Sequence, residues 1–275
     1  LSYRTLAQRL AAEFGIEPSN ETRQLHRSLG AAKATGAEDF VGRSAELRQL
    51  TAVLAQEDCR LVTIIGSGGI GKSRLVQQLL PALAASFDSV TFVPLEAVTQ
   101  SSEIGARIAR EPKLELQRNA TPLEQVKKAL HTRHALLVLN SFEHLLEAEA
   151  MVGDLLAACP EVKLVVTSRV RLNRSGEWLL PLNGLAFPGL EDEDRAESFD
   201  AVHLFVDRAR RAKPAFSLNT ESRVVCEVTR LVEGMPLALE VAAAWTRLLP
   251  CRDIAGAVPG HRRGDPRRLR LVAGG

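Results

Sequence analysis

"GSGGIGKS", residues 66–73, interrupts an apolar run, "LVTII" (61–65), and runs directly into a helical pattern, "KSRLVQQLL" (72–80). It fits G-x-x-x-x-G-K-[ST] at every fixed position, with the strand before and the helix after that give this pattern its meaning. The chemistry accounts for each residue type. Gly66, Gly68, Gly69 and Gly71 allow backbone conformations that a β-carbon blocks, so successive N–H groups, those of Ser67 and Ile70 included, turn inward toward an anion. A helix opening at Lys72 adds the positive end of its dipole. Lys72 brings a point charge for β- and γ-phosphates, Ser73 offers a hydroxyl to Mg²⁺, and Arg74 continues the loop into the helix. A plain glycine turn explains the glycines but not the adjacent Lys and Ser. The stretch therefore reads as a binding loop for ATP or ADP with Mg²⁺.

Outward from the loop, short apolar runs alternate with amphipathic stretches: "SVTFVPL" (89–95), "ALLVLN" (135–140), "VKLVVTS" (162–168) and "EWLLPL" (177–182). Runs apolar on both faces and separated by helices predict a parallel sheet covered on both sides, an α/β fold in three layers over 39–187. "TPLEQVKKAL" predicts a helix with Thr121 as N-cap, Pro122 in the first turn and Glu124 in capping-box position. From "ESFDAVHLFVDRARRA" onward the pattern is helical only, with Phe199, Val202, Phe205, Val206 and Ala209 on one face. That assigns a small all-α domain to 188–250. Residues 251–275, rich in Arg, Gly and Pro toward their end, read as a cut-off or disordered tail rather than a basic nucleic-acid arm.

At the other end, "LSYRTLAQRLAAEFGIEPSNETRQLHRSL" (1–29) carries two apolar stripes broken at Gly15 and Pro18, a helix hairpin within 1–30. Residues 31–38 are small and polar and read as a linker. The chain opens at Leu1 and reads as an excerpt of something longer.

Composition sets wide limits. Of 275 residues, 45% are apolar and 25% charged, the balance of a folded globular chain, and a formal charge of +2 does not require nucleic acid or membrane as partner. Cys59, Cys159, Cys226 and Cys251 lack the close spacing of metal or redox motifs and read as small buried thiols of a reduced, cytoplasmic protein. No apolar run is long enough to cross a bilayer as a helix.

A metal-bound nucleotide usually needs a second acidic group on a neighbouring strand. "LLVLNSFEHL" is the obvious strand, yet it ends in Asn140 where Asp is expected, and no other apolar run ends in an acid. Asn140 can accept a hydrogen bond from a metal-bound water but brings no charge, and Ser141 is no general base. Glu143 reads equally as a catalytic carboxylate or as a solvated residue at a helix start.

With the loop, "FVGRSAEL" (40–47), "LLVLNSFEHL" (136–145), "LVVTSRVRL" (164–172) and "EGMPLALEVAAA" (233–244) resemble, in order, the h-h-G-R-x-x-E, Walker B, sensor-one and G-x-P motifs of STAND signalling ATPases. The similarity is to the NB-ARC type found in large bacterial transcription regulators. It implies that Val41, Gly42 and Arg43 lie along adenine and ribose, that Arg169 senses the γ-phosphate, and that Pro236 closes over the base. Lys72, Glu143 and Arg169 would then serve catalysis, and Ser73 and Asn140 the metal. "EFGIEPSNETRQL" (13–25) resembles the end of a bacterial transcriptional activator domain, which implies DNA contact only through a domain outside this chain. The resemblance implies a nucleotide-dependent switch with weak hydrolysis, partnered by other domains of a regulator or by self-association. Two rivals stay open: a metabolic P-loop phosphotransferase, and an interaction scaffold that binds but never hydrolyses nucleotide.

Overall fold

The computed structural model describes residues 40–110 and 120–257. The expected N-terminal hairpin and linker, and the stretch from 258 onward, lie outside the described residues.

Five strands form one sheet: β1 (Leu61–Ile65), β2 (Ser89–Pro94), β3 (Ala135–Asn140), β4 (Lys163–Ser168) and β5 (Glu177–Pro181). Their order is β2-β3-β4-β1-β5, and every pairing is parallel. Parallel pairing needs crossovers, and helices supply those from β1 to β4: α2 (Lys72–Leu83) after β1, α3 (Ile104–Arg110) and α4 (Pro122–Leu130) after β2, and α5 (Glu149–Ala158) after β3; α1 (Ser44–Leu54) precedes β1, and β4 passes to β5 through a loop.

Alternation along the strands distributes the apolar residues to both faces. Leu61, Val93, Leu137, Leu139, Leu164 and Val166 join one core with Ile108 of α3, Val126 of α4 and Val152 of α5. Val62, Ile64, Leu136, Val138 and Val165, which face the other way, are buried too, as are Leu50 and Leu54 of α1 and Leu75, Val76 and Leu79 of α2. Residues buried on both faces account for runs as uniform as "ALLVLN", all six of which are buried. β5 departs from that pattern. It lies at the sheet edge, and its Trp178 and Leu179 are exposed.

A second core gathers α6 (Asp200–Ala212), α7 (Leu218–Leu231) and α8 (Pro236–Trp245) around Val202, Phe205, Val225, Leu239 and Ala243. Phe205 and Phe216 meet edge to face at 6.0 Å. This helical domain extends past the expected boundary at 250. A further helix, α9 (Cys251–Ala257), sinks Cys251 and Ile254 into the same core. The basic composition that suggested a tail belongs to the residues after it, while these two apolar positions, three apart, lie on one helical face.

The predicted capping box is present on α4. Glu124 N–H donates to Thr121 Oγ1 at 3.3 Å, and Thr121 N–H donates to Glu124 Oε2 at 2.8 Å. Thr121→Ala removes an acceptor from a helix start, so urea denaturation should report a loss of about 1 kcal/mol, with Thr121→Ser close to wild type.

Candidate nucleotide site

The loop of residues 66–71 leaves the carboxyl end of β1, the edge of a parallel sheet where ligands bind. Its start is fixed by Leu182 N–H, which donates to Ile65 O at 2.7 Å. Gly69 (φ 83°) and Gly71 (φ 99°) hold left-handed conformations, and at Gly69 a β-carbon would also come within 2.8 Å of Leu237 Cβ. α2 starts at Lys72 with no side-chain cap, so the N–H groups of Lys72 and Ser73 open toward the loop without one. The Lys72 ammonium folds back over the loop and donates to Gly66 O at 2.8 Å and Ser67 O at 3.1 Å. Burial pushes the Lys72 pKa down, Glu143 opposes that shift, and Arg169 adds to it. A phosphate is the kind of anion that relieves such a cation. Positive-φ glycines, an uncapped helix start and an underneutralised ammonium fit a nucleotide's phosphates.

Arg43 has its side chain packed inward, against the loop. It is only 6% exposed and left-handed (φ 65°), and its guanidinium donates to Glu46 Oε1 at 2.6 Å, Asn183 O at 2.5 Å and Ile70 O at 3.3 Å. Its donors thus go to carbonyls of the loop and of the segment after β5. Its side chain braces the loop from behind. Val41 beside it packs against the helical core, and Gly42 passes tightly against Asp200, the first residue of α6.

At the ends of β3 and β4 a directed chain of hydrogen bonds forms. Ser141 N–H donates to Thr167 Oγ1 (2.8 Å), Thr167 Oγ1 donates to Asn140 Oδ1 (2.9 Å), and Asn140 Nδ2 donates to Glu96 Oε1 (2.6 Å). Asn140 and Thr167 are buried, and Ser141 is left-handed (φ 66°), the kind of backbone outlier that gathers at functional sites. Glu96 overturns the reading that no other apolar run ends in an acid: it directly follows "SVTFVPL". The register that pairs Pro94 with Asn140 puts it beside the strand end.

Next along this edge, Arg169 Nε meets Glu143 Oε1 at 3.3 Å, and its Nη2 would lie 3.3 Å from a β-carbon on Gly68, so it lies against the loop. Glu143 Oε2 is buried with no hydrogen-bond partner among the described residues. Glu143, Arg169 and Lys72 therefore converge.

The helical domain completes the site. α8 begins with Pro236, whose Cγ would lie 4.0 Å from a β-carbon on Gly71, and Leu237 N–H donates to Gly69 O at 3.2 Å. One turn on, Glu240 Oε1 takes Arg74 Nη1 at 3.0 Å and Arg208 Nε at 3.2 Å. The residue after the loop's Ser73 is thus tied to α6 and α8.

The model of the AAA ATPase domain matches residues 39–218, which hold the loop, the strand ends and the start of the helical domain. The chain belongs to the AAA ATPase domain family. A Mycobacterium tuberculosis protein provisionally named an HTH-type transcriptional regulator is 36% identical over 230 residues, 82% of this chain and 24% of that protein. An uncharacterised protein of the same organism is 35% identical over 241 residues, 86% of this chain and 56% of its own length. The chain thus spans about a quarter of the first relative and about half of the second. The Aeropyrum pernix ORC2 protein, solved in ADPNP–ADP complexes, shares the fold: TM-score 0.52 at 17% identity, covering 82% of this chain and 69% of that one. Among the described residues no helix is long and apolar enough to cross a membrane.

Within this AAA ATPase domain, the structure gathers the loop, Asn140, Glu143, Arg169 and Pro236 of the motif reading with Glu96, Glu240 and Thr167, which that reading did not include. Each of these three acts through a contact with a distant segment. A carboxylate directly after the second strand run was the one local signal. Arg43 provides a test of the bracing role. In nucleotide-free protein, Arg43→Ala strands two carbonyls and Glu46, and urea denaturation should show a loss of about 2–3 kcal/mol; Arg43→Lys, a point charge in place of a fork, should recover only part of it.

Proposed function

We propose that this AAA ATPase domain is an ATP- and ADP-binding switch of a larger bacterial transcriptional regulator, of the STAND type that its motifs resemble. The observation that carries the reading is the bond from Leu237 N–H to Gly69 O, because it joins the mobile-domain candidate α8 to the loop that would hold the phosphates. A ligand there acts on the interdomain contact directly. Lys72, Ser73 and the first N–H groups of α2 hold the phosphates, and Ser73 with the strand-end polar groups holds Mg²⁺. When bound, Mg²⁺ neutralises charge on the β- and γ-phosphates. Arg169, lying against Gly68, is placed to feel whether a γ-phosphate is present, and Glu143 couples Arg169 to Lys72.

The closed contact belongs to the state without a γ-phosphate; the extra phosphate oxygens compete for the loop surface that Leu237 covers and favour a looser helical domain. Turnover is slow, since position 140 lacks the usual charge and Glu143 Oε1 is tied to Arg169. The regulator assignment draws support from the name of the 36%-identical relative. DNA contact falls to another domain, and the switched output is self-association or the exposure of neighbouring domains.

Fluorescent ATP and ADP should bind the wild type, and Lys72→Ala should weaken both about tenfold to a hundredfold, the scale of one charge-assisted hydrogen bond lost. Equal affinity in a folded Lys72→Ala protein contradicts the site. Gel-filtration profiles identical with ADP, ATP and no nucleotide contradict the switch.

A further inference from the structure

The anomaly at the site is Asn140, an amide where a charged strand end is expected, buried to 1% exposure and fully engaged. Its two polar atoms have separate tasks. Oδ1 accepts from Thr167 Oγ1, and Nδ2 donates to Glu96 Oε1 at 2.6 Å and to Ser141 Oγ at 3.2 Å. The orientation of the amide is determined by its neighbours, because turning it over would press Oδ1 against the Glu96 carboxylate. Ser141 Oγ also donates to Glu96 Oε1, at 3.3 Å. Every hydrogen in the chain from Ser141 N–H through Thr167 and Asn140 therefore points, step by step, toward one carboxylate. Both bonds fall on Oε1; Oε2 has no hydrogen bond among the described residues, and Glu96 is exposed.

An Asp at 140 could not occupy this arrangement comfortably. Its carboxylate would lie within hydrogen-bond distance of Glu96 and would repel it. Asn140 and Glu96 thus form a matched pair in which the negative charge has moved from the end of β3 to the residue beyond the end of β2, one strand outward. The register holds it there: Pro94 pairs with Asn140, and Leu95 N–H donates to Asn140 O at 3.0 Å. Magnesium keeps much of its water shell and meets proteins through one or two carboxylates, often by way of that water, so a carboxylate one strand further out still serves.

We propose that Glu96, oriented by Asn140 and Ser141, is the carboxylate that supports the nucleotide-bound Mg²⁺, in place of the acid missing at position 140. The inference rests on the nucleotide-binding reading above. It makes Asn140 a positioning residue that directs Glu96 and not itself a metal ligand. It also separates two properties that the sequence had joined: metal affinity is retained, while turnover remains limited by the paired Glu143.

The test is binding of fluorescent ATP, once in EDTA and once in Mg²⁺, to wild type, Glu96→Gln, Asn140→Asp and the double swap Glu96→Gln/Asn140→Asp. Gln at 96 still accepts from Asn140 but carries no charge, and thermal unfolding confirms that each variant is folded. In EDTA all four should bind alike. In Mg²⁺ the wild type should tighten, Glu96→Gln should lose about tenfold or more of that tightening, as outer-shell carboxylates do, and the double swap should regain it by returning the charge to 140. Mn²⁺ paramagnetic resonance on the same samples should show weaker metal retention in Glu96→Gln alone. A Glu96→Gln protein with wild-type Mg²⁺ dependence overturns the proposal, as does a double swap that stays as weak as Glu96→Gln. A wild type that binds no nucleotide in EDTA or Mg²⁺ overturns the nucleotide reading itself, and is recognised by the absence of any signal to compare.

Discussion

Leu237 is the second residue of α8, and its N–H has no acceptor within its own helix. It finds one in Gly69 O, in the middle of the phosphate loop, and much of the molecule is arranged to keep those two atoms together. Gly69 can accept the approach because it has no side chain where Leu237 rests, and its left-handed backbone turns the carbonyl outward. Behind the loop, Arg43 ties Ile70 to the segment after β5. Beside it, Glu240 joins Arg74 to Arg208 and so makes α2, α6 and α8 one electrostatic unit. Exposed ion pairs contribute little, but Arg208 and Glu240 are 13% and 19% exposed, so this one holds geometry at a point where a small shift matters. Loop and helical domain are thus in direct contact, with no long path between them.

The same economy governs charge at the carboxyl edge of the sheet. Among the described residues, the buried Lys72 ammonium is met by the carbonyls of Gly66 and Ser67 and by the more distant charge of Glu143. Arg169 adds a second positive charge next to the loop. On the far side, Glu96 collects the donors of Asn140 and Ser141. Positive groups therefore lie beside the loop while a carboxylate lies three strands away from it, which is the polarity required by a polyphosphate with a cation on its outer side.

How much of this was legible in sequence follows from the range of each contact. The strands were readable because sheet burial on both faces leaves uniform apolar runs, and the loop because strand, glycines, Lys and Ser are contiguous. The capping box on α4 spans four residues and could be read in the same way. Glu96 was not readable as a site residue: its partnership with Asn140 depends on β2 lying next to β3, a fact of strand order that periodicity does not contain. The bracing contacts of Arg43 were hidden similarly, since Asn183, which it holds, comes after the last strand. The end of the helical domain was misplaced because α9 is a short helix just ahead of a basic stretch, and only Cys251 and Ile254 mark it as core. The contact of α8 with the loop had a hint in Gly234 and Pro236, but nothing local specifies that Leu237 should cover Gly69.

Amide hydrogen exchange at Leu237, compared between saturating ADP and saturating ATP, tests the central claim most directly. That N–H is outside the helix's own ladder, so its protection reports the bond to Gly69 O and little else. Slow exchange with ADP and distinctly faster exchange with ATP is the predicted result. Equal protection in the two states, with both nucleotides shown to be bound, would contradict a switch in which the γ-phosphate acts on the contact between loop and helical domain.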